Sequence, residues 1–272
     1  MLTSEFPLEI PRSQKTQLSI QKHVGTHKKQ TMRNVLTLLL LFSFLLMNGQ
    51  NLKSLKPILG SDNSYSKSEF EYWKKATNLL SQINNIENEI EYSEIGLKNQ
   101  NAIDSLEMGY GPMTQGIGCS WYCGGGPYKI SSSSILKDNP NYSEQNIHDF
   151  DLFTSWVPKS KNGIGESISF HFKAKSPRIN AIIIYNGYIK TNELWKNNSR
   201  AKKVKLKIDN KTMAILYLED KSASQRFEIE PISSTIENQD LVLTLEIIES
   251  YEGEKYTDLV ISEINFDGID VH

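Results

Sequence analysis

The run from Asn146 to Trp156 carries the residue types best suited to bind an ion. It reads Asn-Ile-His-Asp-Phe-Asp-Leu-Phe-Thr-Ser-Trp. Asn146, Asp149, Asp151 and Thr154 offer oxygen ligands, which suit calcium when backbone carbonyls complete the shell. The run lacks the regular carboxylate spacing and the central glycine of an EF-hand. The composition therefore predicts either a structural calcium loop or an ordinary hydrogen-bonded turn.

A second stretch, from Asn186 to Arg200, has the side chains that a sugar site needs, and it is long for a hairpin connection. A sugar presents an apolar C–H face and a hydroxyl edge, so its site requires an aromatic ring and planar hydrogen-bonding groups. The candidate ligand-binding residues are Tyr188 and Trp195 for the ring, with Asn186, Lys190, Asn197 and Arg200 for the hydrogen bonds.

The same side chains have a structural interpretation. The bracing residues would then be Tyr185, Asn186, Asn198 and Arg200, which would hold the two strands that flank the loop, with Arg200 held by a carboxylate such as Asp258 or Glu263. Aromatic and amide side chains serve both purposes equally well, so the sequence leaves both interpretations open.

Gly109 to Tyr128 is a loop by composition, and it holds both cysteines of the chain, Cys119 and Cys123. In a secreted protein these two predict a disulfide that closes a small ring. Zinc would need more ligands nearby, and a phosphate loop would need a following lysine and hydroxyl. Trp121 and the neighbouring tyrosine are either an exposed stacking platform or a plug that ties the loop to the next domain, and we interpret them as the plug.

The remaining candidates for catalysis are weak. His171 lies inside an alternating strand pattern, and no nucleophile or acid can be paired with it from the sequence. His148 stands beside Asp149, where a metal role is conceivable, but we interpret it as a solvated loop residue. With no paired acid and base in the chain, we expect a protein that is not an enzyme.

Residues 1–50 look like a leader. An apolar core from Val35 to Met47 follows basic residues such as Arg33, and it is too short for a membrane span of about 20 residues. These features predict a secretory signal peptide, with an uncleaved anchor as the alternative. Met32 would be a more usual start than Met1. The mature protein is then expected outside the cytoplasm, secreted, periplasmic or on the cell surface.

The segment 51–117 divides into a polar linker, 51–68, and an amphipathic helix at about Ser68 to Tyr92. The helix is predicted from apolar residues at steps of three and four, namely Phe70, Trp73, Leu80, Ile83, Ile86 and Ile90. It either binds a partner or packs on its own domain, and we favour packing because few clean heptads are present.

From Lys129 onward the pattern is mainly β. Short apolar or alternating runs are divided by Asn, Gly, Asp and Lys turns, which predicts an antiparallel β-sandwich. The predicted strands are Glu166 to Lys173, Asn180 to Tyr185, Lys202 to Ile208, Met213 to Leu218, Arg226 to Ile232, Leu241 to Ile248 and Leu259 to Phe266.

Composition narrows the function further. The 272 residues are 38% hydrophobic and carry a net charge of -2, with lysines and acids mixed along the chain. This balance gives no electrostatic footprint for nucleic acid and no obvious attraction to a polyanion or an anionic membrane. A neutral ligand fits it better.

The order of several motifs resembles discoidin-like, galactose-binding-type jelly rolls. The matching residues are Ser131 to Ser134, then Asn146, Asp149, Asp151, Thr154 and Trp156, then Gly163 to Ile168, Ile184 to Tyr188, Asn198 to Arg200, Lys202, Lys203 and Ile261 to Ile264. A closer resemblance is to the glycan-binding translocation domain of bacterial NAD glycohydrolase toxins, carried by Tyr185 to Lys190, Trp195, Asn198 to Arg200, and Tyr251 to Tyr256 with Asp258. The resemblance covers about Gly118 to Phe266.

The resemblance implies a galactose-binding-like jelly roll at residues 118–272. It also implies that Glu263, near the carboxyl terminus, joins Asp149, Asp151 and Thr154 around a structural calcium ion. In the toxins this domain binds and translocates while a separate domain catalyses, so we expect no NAD hydrolysis. The expected function is a carbohydrate-binding module for a glycan or glycoconjugate. The alternative is a protein-interaction module that docks a toxin, an enzyme or an envelope component.

Overall fold

The computed structural model describes residues 52–83, 89–115, 120–137, 142–234 and 237–271. The predicted signal peptide, the choice between Met1 and Met32, and Cys119 all lie outside these ranges. None of the helices in the described ranges has the length and apolar character needed to cross a membrane.

The described residues form ten strands: β1 Lys53–Leu55, β2 Ile58–Asp62, β3 Lys129–Ser132, β4 Ser167–Phe172, β5 Ile179–Asn186, β6 Arg200–Ile208, β7 Lys211–Tyr217, β8 Ala223–Ile232, β9 Leu241–Tyr251 and β10 Ile261–Gly268. One sheet has the order β1-β7-β6-β9-β4-β3 and the other β10-β5-β8-β2. Only the β1–β7 pair among these strands is parallel. This confirms the predicted mainly β, antiparallel jelly-roll sandwich.

Period-two alternation builds the core between the sheets. In β4, Ile168, Phe170 and Phe172 are buried while the serines and His171 between them face outward. Phe170 and Phe172 pack edge-to-face on Phe266 of β10 at centroid distances of 4.8 and 5.2 Å. Such aromatic contacts add to the large apolar area that each ring buries. All seven predicted strands are present, with ends shifted by a few residues.

The linker interpretation of residues 51–68 is wrong. β1 adds to the edge of the six-stranded sheet beside β7, and β2 pairs with β8 at the edge of the four-stranded sheet. The sandwich therefore takes strands from before residue 118 as well as after it. These strands are very short and largely exposed, so they lack the alternation that identifies longer strands.

The first helix, α1, runs from Lys67–Ile83, which confirms the first part of the predicted helix, while residues 84–88 lie outside the described ranges. Ser66 and Glu69 form a capping box, because each backbone N–H bonds to the other residue's side-chain oxygen. The second helix, α2, spans Glu89–Glu107 with a kink at Asn99 and extends well past the predicted end at Tyr92.

Helix α1 packs on its own domain, as favoured from the sequence. Phe70 meets Phe153 edge-to-face at 4.8 Å between ring centroids. Trp73 lies flat against Gly111, where an added Cβ would come within 2.6 Å of the indole and where the backbone has a φ of +72°. Glycine is required at that position for both reasons. The contacts hold α1 beside the loop that contains Asn146 to Trp156.

Candidate ligand cleft and ion loop

The predicted ion loop forms a ring of oxygen atoms around the hydroxyl of Thr154. The Thr154 Oγ1 lies 2.8 and 2.9 Å from the two carboxylate oxygens of Asp149. It also lies 3.2 Å from the carbonyl oxygen of Asn146 and 3.0 Å from that of Asp151. A hydroxyl has one proton to donate, so the other oxygens around it remain available as acceptors.

Glu263 on β10 completes this cluster. Its side chain is fully buried, and neither carboxylate oxygen has a hydrogen-bond partner among the described residues. Burial, and then the nearby Asp149 carboxylate, raise the pKa of Glu263. Asp149 itself is exposed as a residue, yet desolvation of its carboxyl group raises its pKa to about 6.

The adjacent carboxyl groups of Asp149 and Glu263 are both at least partly shielded from water, so a proton or a cation is required to offset their charges. The residues present fit a calcium ion, because hard oxygen atoms from Asp149, Thr154, Glu263 and two backbone carbonyls converge there. The described residues contain no group of three or more His, Cys, Asp or Glu side chains that could hold a metal, so a bound ion would depend on the hydroxyl and the carbonyls. Such an ion would act as a structural support.

Asp151 takes a different place from the one predicted. Its carboxylate accepts a hydrogen bond of 2.9 Å from the Phe153 N–H and lines the cleft described below, while its carbonyl oxygen faces Thr154. Of the four predicted metal ligands, the side chains of Asp149, Thr154 and Glu263 are brought together.

The interpretation of His148 as a solvated loop residue is wrong. Its side chain is only 7% exposed, and its ring packs among the rings of Tyr122, Phe150 and Phe266. Burial lowers its pKa, and Nδ1 lies 2.7 Å from the carbonyl oxygen of Ile264. A neutral imidazole that donates to this carbonyl satisfies the geometry. His171, as expected, is a strand residue of β4.

Asn186, at the start of the stretch from Asn186 to Arg200, and the second half of that stretch both brace the fold. Asn186 is fully buried and exchanges two hydrogen bonds of 2.7 and 2.9 Å with the backbone of Ala201. Arg200 is 5% exposed and donates to the carbonyls of Trp195 and Asn198 and to both oxygens of Asp220. The carboxylate partner is Asp220 and not Asp258 or Glu263, the two acids predicted from the sequence.

Trp195 and Asn197 belong to the same braced half. A short helix, α3, spans Asn192–Asn197 in this loop. Within it, the Trp195 indole N–H donates to the carbonyl of Asn186 at 2.8 Å, and the guanidinium of Arg200 lies 4.4 Å from the ring centroid. The carbonyl of Asn197 accepts from the N–H of Tyr256 at 2.7 Å. The ring of Trp195 also borders a shallow hollow beside β2, formed with residues such as Gly60 and Lys221.

The first half of the stretch, after Gly187, contributes Tyr188 and Lys190 to a cleft. Ile189 is buried in a small apolar cluster with Tyr65 and Leu152, and its N–H donates to the Ser262 hydroxyl at 3.1 Å. Ile189 and Lys190 form a turn after β5, and with Ile189 buried its two neighbours, Tyr188 and Lys190, remain partly exposed. Both line a cleft of about 500 Å³. Its size suits a small ligand.

This cleft lies between α1 and the ion loop. Its lining is mixed, with aromatic rings, amides, hydroxyls, two lysines and one carboxylate, contributed by Phe70, Lys74, Thr77, Asn78, Asn146, Asp151, Phe153, Thr154, Ser155, Tyr188 and Lys190. The four residues from α1 were missed from the sequence. Their spacing was a signal, because Phe70, Lys74 and Asn78 recur every four residues and so share one helix face.

Gly187 connects the braced Asn186 to Tyr188, which lines the cleft. Its backbone has a φ of +97°, and an added Cβ would come within 2.6 Å of Trp195 and 2.9 Å of Arg200. Only glycine lets the chain leave β5 while the indole of Trp195 and the aliphatic part of the Arg200 side chain pack against it.

Trp121 packs the loop before β3 against the sandwich, which confirms the interpretation of this residue as a plug between the loop and the β-domain. Trp121 is 6% exposed and lies against Phe172, with Tyr122 beside it. The hydroxyl of Tyr122 accepts a hydrogen bond of 2.6 Å from the N–H of Phe266. Cys119 lies outside the described residues, so its disulfide with Cys123 stays a prediction.

The two-sheet sandwich, together with a match to a family model, defines a domain of the F5/8 type C class. The family model described as "NAD glycohydrolase translocation F5/8 type C domain" matches residues 121–267, more than half of the chain. The protein belongs to this family. No functionally curated protein matches the chain.

Several solved structures are similar to this chain. A family 32 carbohydrate-binding module of NanJ from Clostridium perfringens, in complex with galactose, is 18% identical, with a TM-score of 0.37 over 51% of this chain and 91% of that chain. A second C. perfringens module, in complex with GalNAc-β-1,3-galactose, is 16% identical, with a TM-score of 0.37 over 52% and 94%. An F5/8 type C domain from Bacteroides fragilis is 15% identical, with a TM-score of 0.34 over 52% and 91%.

Proposed function

We propose that this protein is a secreted or surface carbohydrate-binding module without a catalytic role, and that its glycan binds in the cleft beside α1. The observation that supports this most is the position of Tyr188. Its partly buried ring lines the cleft together with Phe70, and amide and hydroxyl groups stand beside the two rings. A stacking surface flanked by hydrogen-bonding groups is what a sugar ring requires.

A structural calcium ion is the second part of the proposal. It would be held by Asp149, Thr154 and Glu263 with the carbonyl oxygens of Asn146 and Asp151. The same residues Asn146, Asp151 and Thr154 also line the cleft. An ion in this position would therefore fix one wall of the ligand site, which is a positioning role and requires no chemistry from the metal.

The test is a glycan panel probed with the purified protein, followed by titration of the best ligand against Tyr188→Ala. We expect saturable binding that free sugar competes away, and an affinity loss of about tenfold or more in the variant, because a lost ring contact with its apolar area is worth about 1–2 kcal/mol. NAD hydrolysis should be absent in the same preparation.

Tyr217→Ala is the matched control. Tyr217 is also a surface tyrosine with a lysine over its ring, since Lys203 Nζ lies 5.4 Å from its centroid, but it lies on β7 outside the cleft lining. The glycan affinity of the Tyr217→Ala variant should equal that of the wild type. Absence of any saturable, sugar-competable signal would reject the proposed function in favour of a protein-docking module. Equal loss in both variants would show that the effect is not specific to the cleft.

A further inference from the structure

Two lysines of the cleft stand around one aromatic ring. Lys74 Nζ of α1 is 5.8 Å from the centroid of Phe70, and Lys190 Nζ is 5.1 Å from the same centroid. Lys190 also lies 5.9 Å from the ring of Tyr188. The two ammonium groups therefore flank the surface on which a sugar ring would stack, although they come from distant parts of the sequence.

Neither ammonium group has a carboxylate within 4 Å among the described residues. The lysines of β6 are a contrast, since Lys202, Lys203, Lys205 and Lys207 all pair with Glu246 or Glu249 across the strand. Both of those acids lie on the neighbouring strand β9. The two cleft lysines have no such ion pair among the described residues.

The charges near Lys190 leave the cleft positive. Burial first, and then the charge of Lys74, lower the pKa of Lys190, while Asp151 and Glu71 act in the opposite direction. Asp151 is the only carboxylate among the described lining residues, and one of its oxygens already accepts from the Phe153 N–H. A lining with two ammonium groups and one carboxylate is unexpected in a chain whose net charge is -2.

Resting on the proposed glycan-binding function, we propose that the ligand is an acidic glycan whose anionic group lies between Lys74 and Lys190 while its ring contacts Tyr188. A carboxylate or a sulfate ester would meet both ammonium groups in a partly desolvated place, where charge-assisted hydrogen bonds are strong. This replaces the neutral ligand that the overall composition favoured, because local charge at the site decides specificity.

The experiment compares three ligands that share a lactose core: unmodified lactose, sialyllactose, which carries a carboxylate, and lactose bearing a sulfate ester. We expect at least one acidic ligand to bind about tenfold or more tighter than lactose at low salt, with the advantage shrinking as salt screens the charges. The carboxylate and sulfate arms identify which anion the site accepts.

Lys74→Met and Lys190→Met should each lower the affinity for the acidic ligand about tenfold and lower the affinity for lactose much less, so that the acidic preference shrinks, since methionine removes the charge and keeps the apolar stem. Lys190→Arg keeps the positive charge and should retain the preference for acidic ligands over lactose. This variant shows whether the loss in Lys190→Met comes from the missing charge or from altered packing. Lys173→Met is the control, because Lys173 Nζ also stands over an aromatic ring, Tyr128, at 3.7 Å but outside the cleft.

The outcomes separate the two proposals. Equal affinity for the neutral and acidic ligands, or an acidic preference that survives both methionine variants, would overturn the acidic-glycan inference and leave the carbohydrate-binding function standing. If the protein binds none of the three ligands and no glycan of the panel, both proposals are overturned.

Discussion

The two halves of the segment from Asn186 to Arg200 have similar compositions but different positions. In the half that includes Trp195 and Arg200, the hydrogen-bonding groups are used within the fold. In the half that includes Tyr188 and Lys190, the side chains reach into a cleft of about 500 Å³. Residue types suited to a sugar therefore do not define a site, because the same types brace strands when backbone carbonyls lie within reach.

The strongest test of the braced half is Arg200→Leu. This change leaves the carbonyls of Trp195 and Asn198 and the Asp220 carboxylate without their donor. We expect a loss of about 3 kcal/mol in the free energy of unfolding, because unsatisfied partners of a buried charged group are costly. For a domain of this size, thermal denaturation should show a melting temperature lower by roughly 10 °C.

Arg178→Leu is the control for that experiment. Arg178 makes a similar two-point contact with Asp270, at 2.7 and 2.9 Å, but both side chains are nearly half exposed. Exposed ion pairs of this kind add little to stability, so the melting temperature should stay the same. If the two variants melt alike, Arg200 is not a brace and the contrast between the halves fails.

Adding or removing calcium tests the ion loop, which forms one wall of the cleft beside Tyr188 and Lys190. A ligand that binds only the folded state stabilises by mass action, by about 2.7 kcal/mol at a concentration one hundred times its Kd. We therefore expect calcium to raise the melting temperature by roughly 5–10 °C over the value in chelator. Glycan affinity should also fall in chelator, because Asn146, Asp151 and Thr154 line the cleft.

Glu263→Gln should abolish that calcium response, since it replaces a buried carboxylate by a neutral amide of similar shape. Glu228→Gln, at a side chain that is 67% exposed on β8, should leave the response intact. Identical melting curves in excess calcium and in chelator for the unaltered protein, with no metal detected by elemental analysis, would contradict a calcium site.

Much of the sandwich was predictable because its signals are local. In β4 the alternation of Ile168, Phe170 and Phe172 with small polar residues identifies both the strand and its inner face. The oxygen-rich run from Asn146 to Thr154 identified a loop in which those atoms do converge. Period and residue type are enough when neighbours in sequence are also neighbours in space.

The cleft was only half predictable because its other wall comes from far away. Phe70 and Lys74 on α1 meet Lys190 only after the helix has docked on Phe153. The partner of Arg200 was missed for the same reason, since Asp220 reaches it through the pairing of strands rather than through sequence proximity. A single sequence carries no direct record of such contacts.

Substitution of Trp195 has the smallest expected effect, and it distinguishes two possible ligand sites. Of the bracing residues, Trp195 is the one that also borders the hollow beside Gly60, Ser222 and Lys221. Trp195→Phe keeps a ring but loses the hydrogen bond to the carbonyl of Asn186. We expect about 1 kcal/mol of lost stability by thermal denaturation, with glycan affinity within twofold of the wild type at a temperature where both are folded. Since phenylalanine retains a stacking face, Trp195→Ala should be measured too. If a folded Trp195→Ala variant loses glycan binding while Tyr188→Ala keeps it, the ligand occupies the hollow, and the division of the segment into an open and a braced half must be reversed.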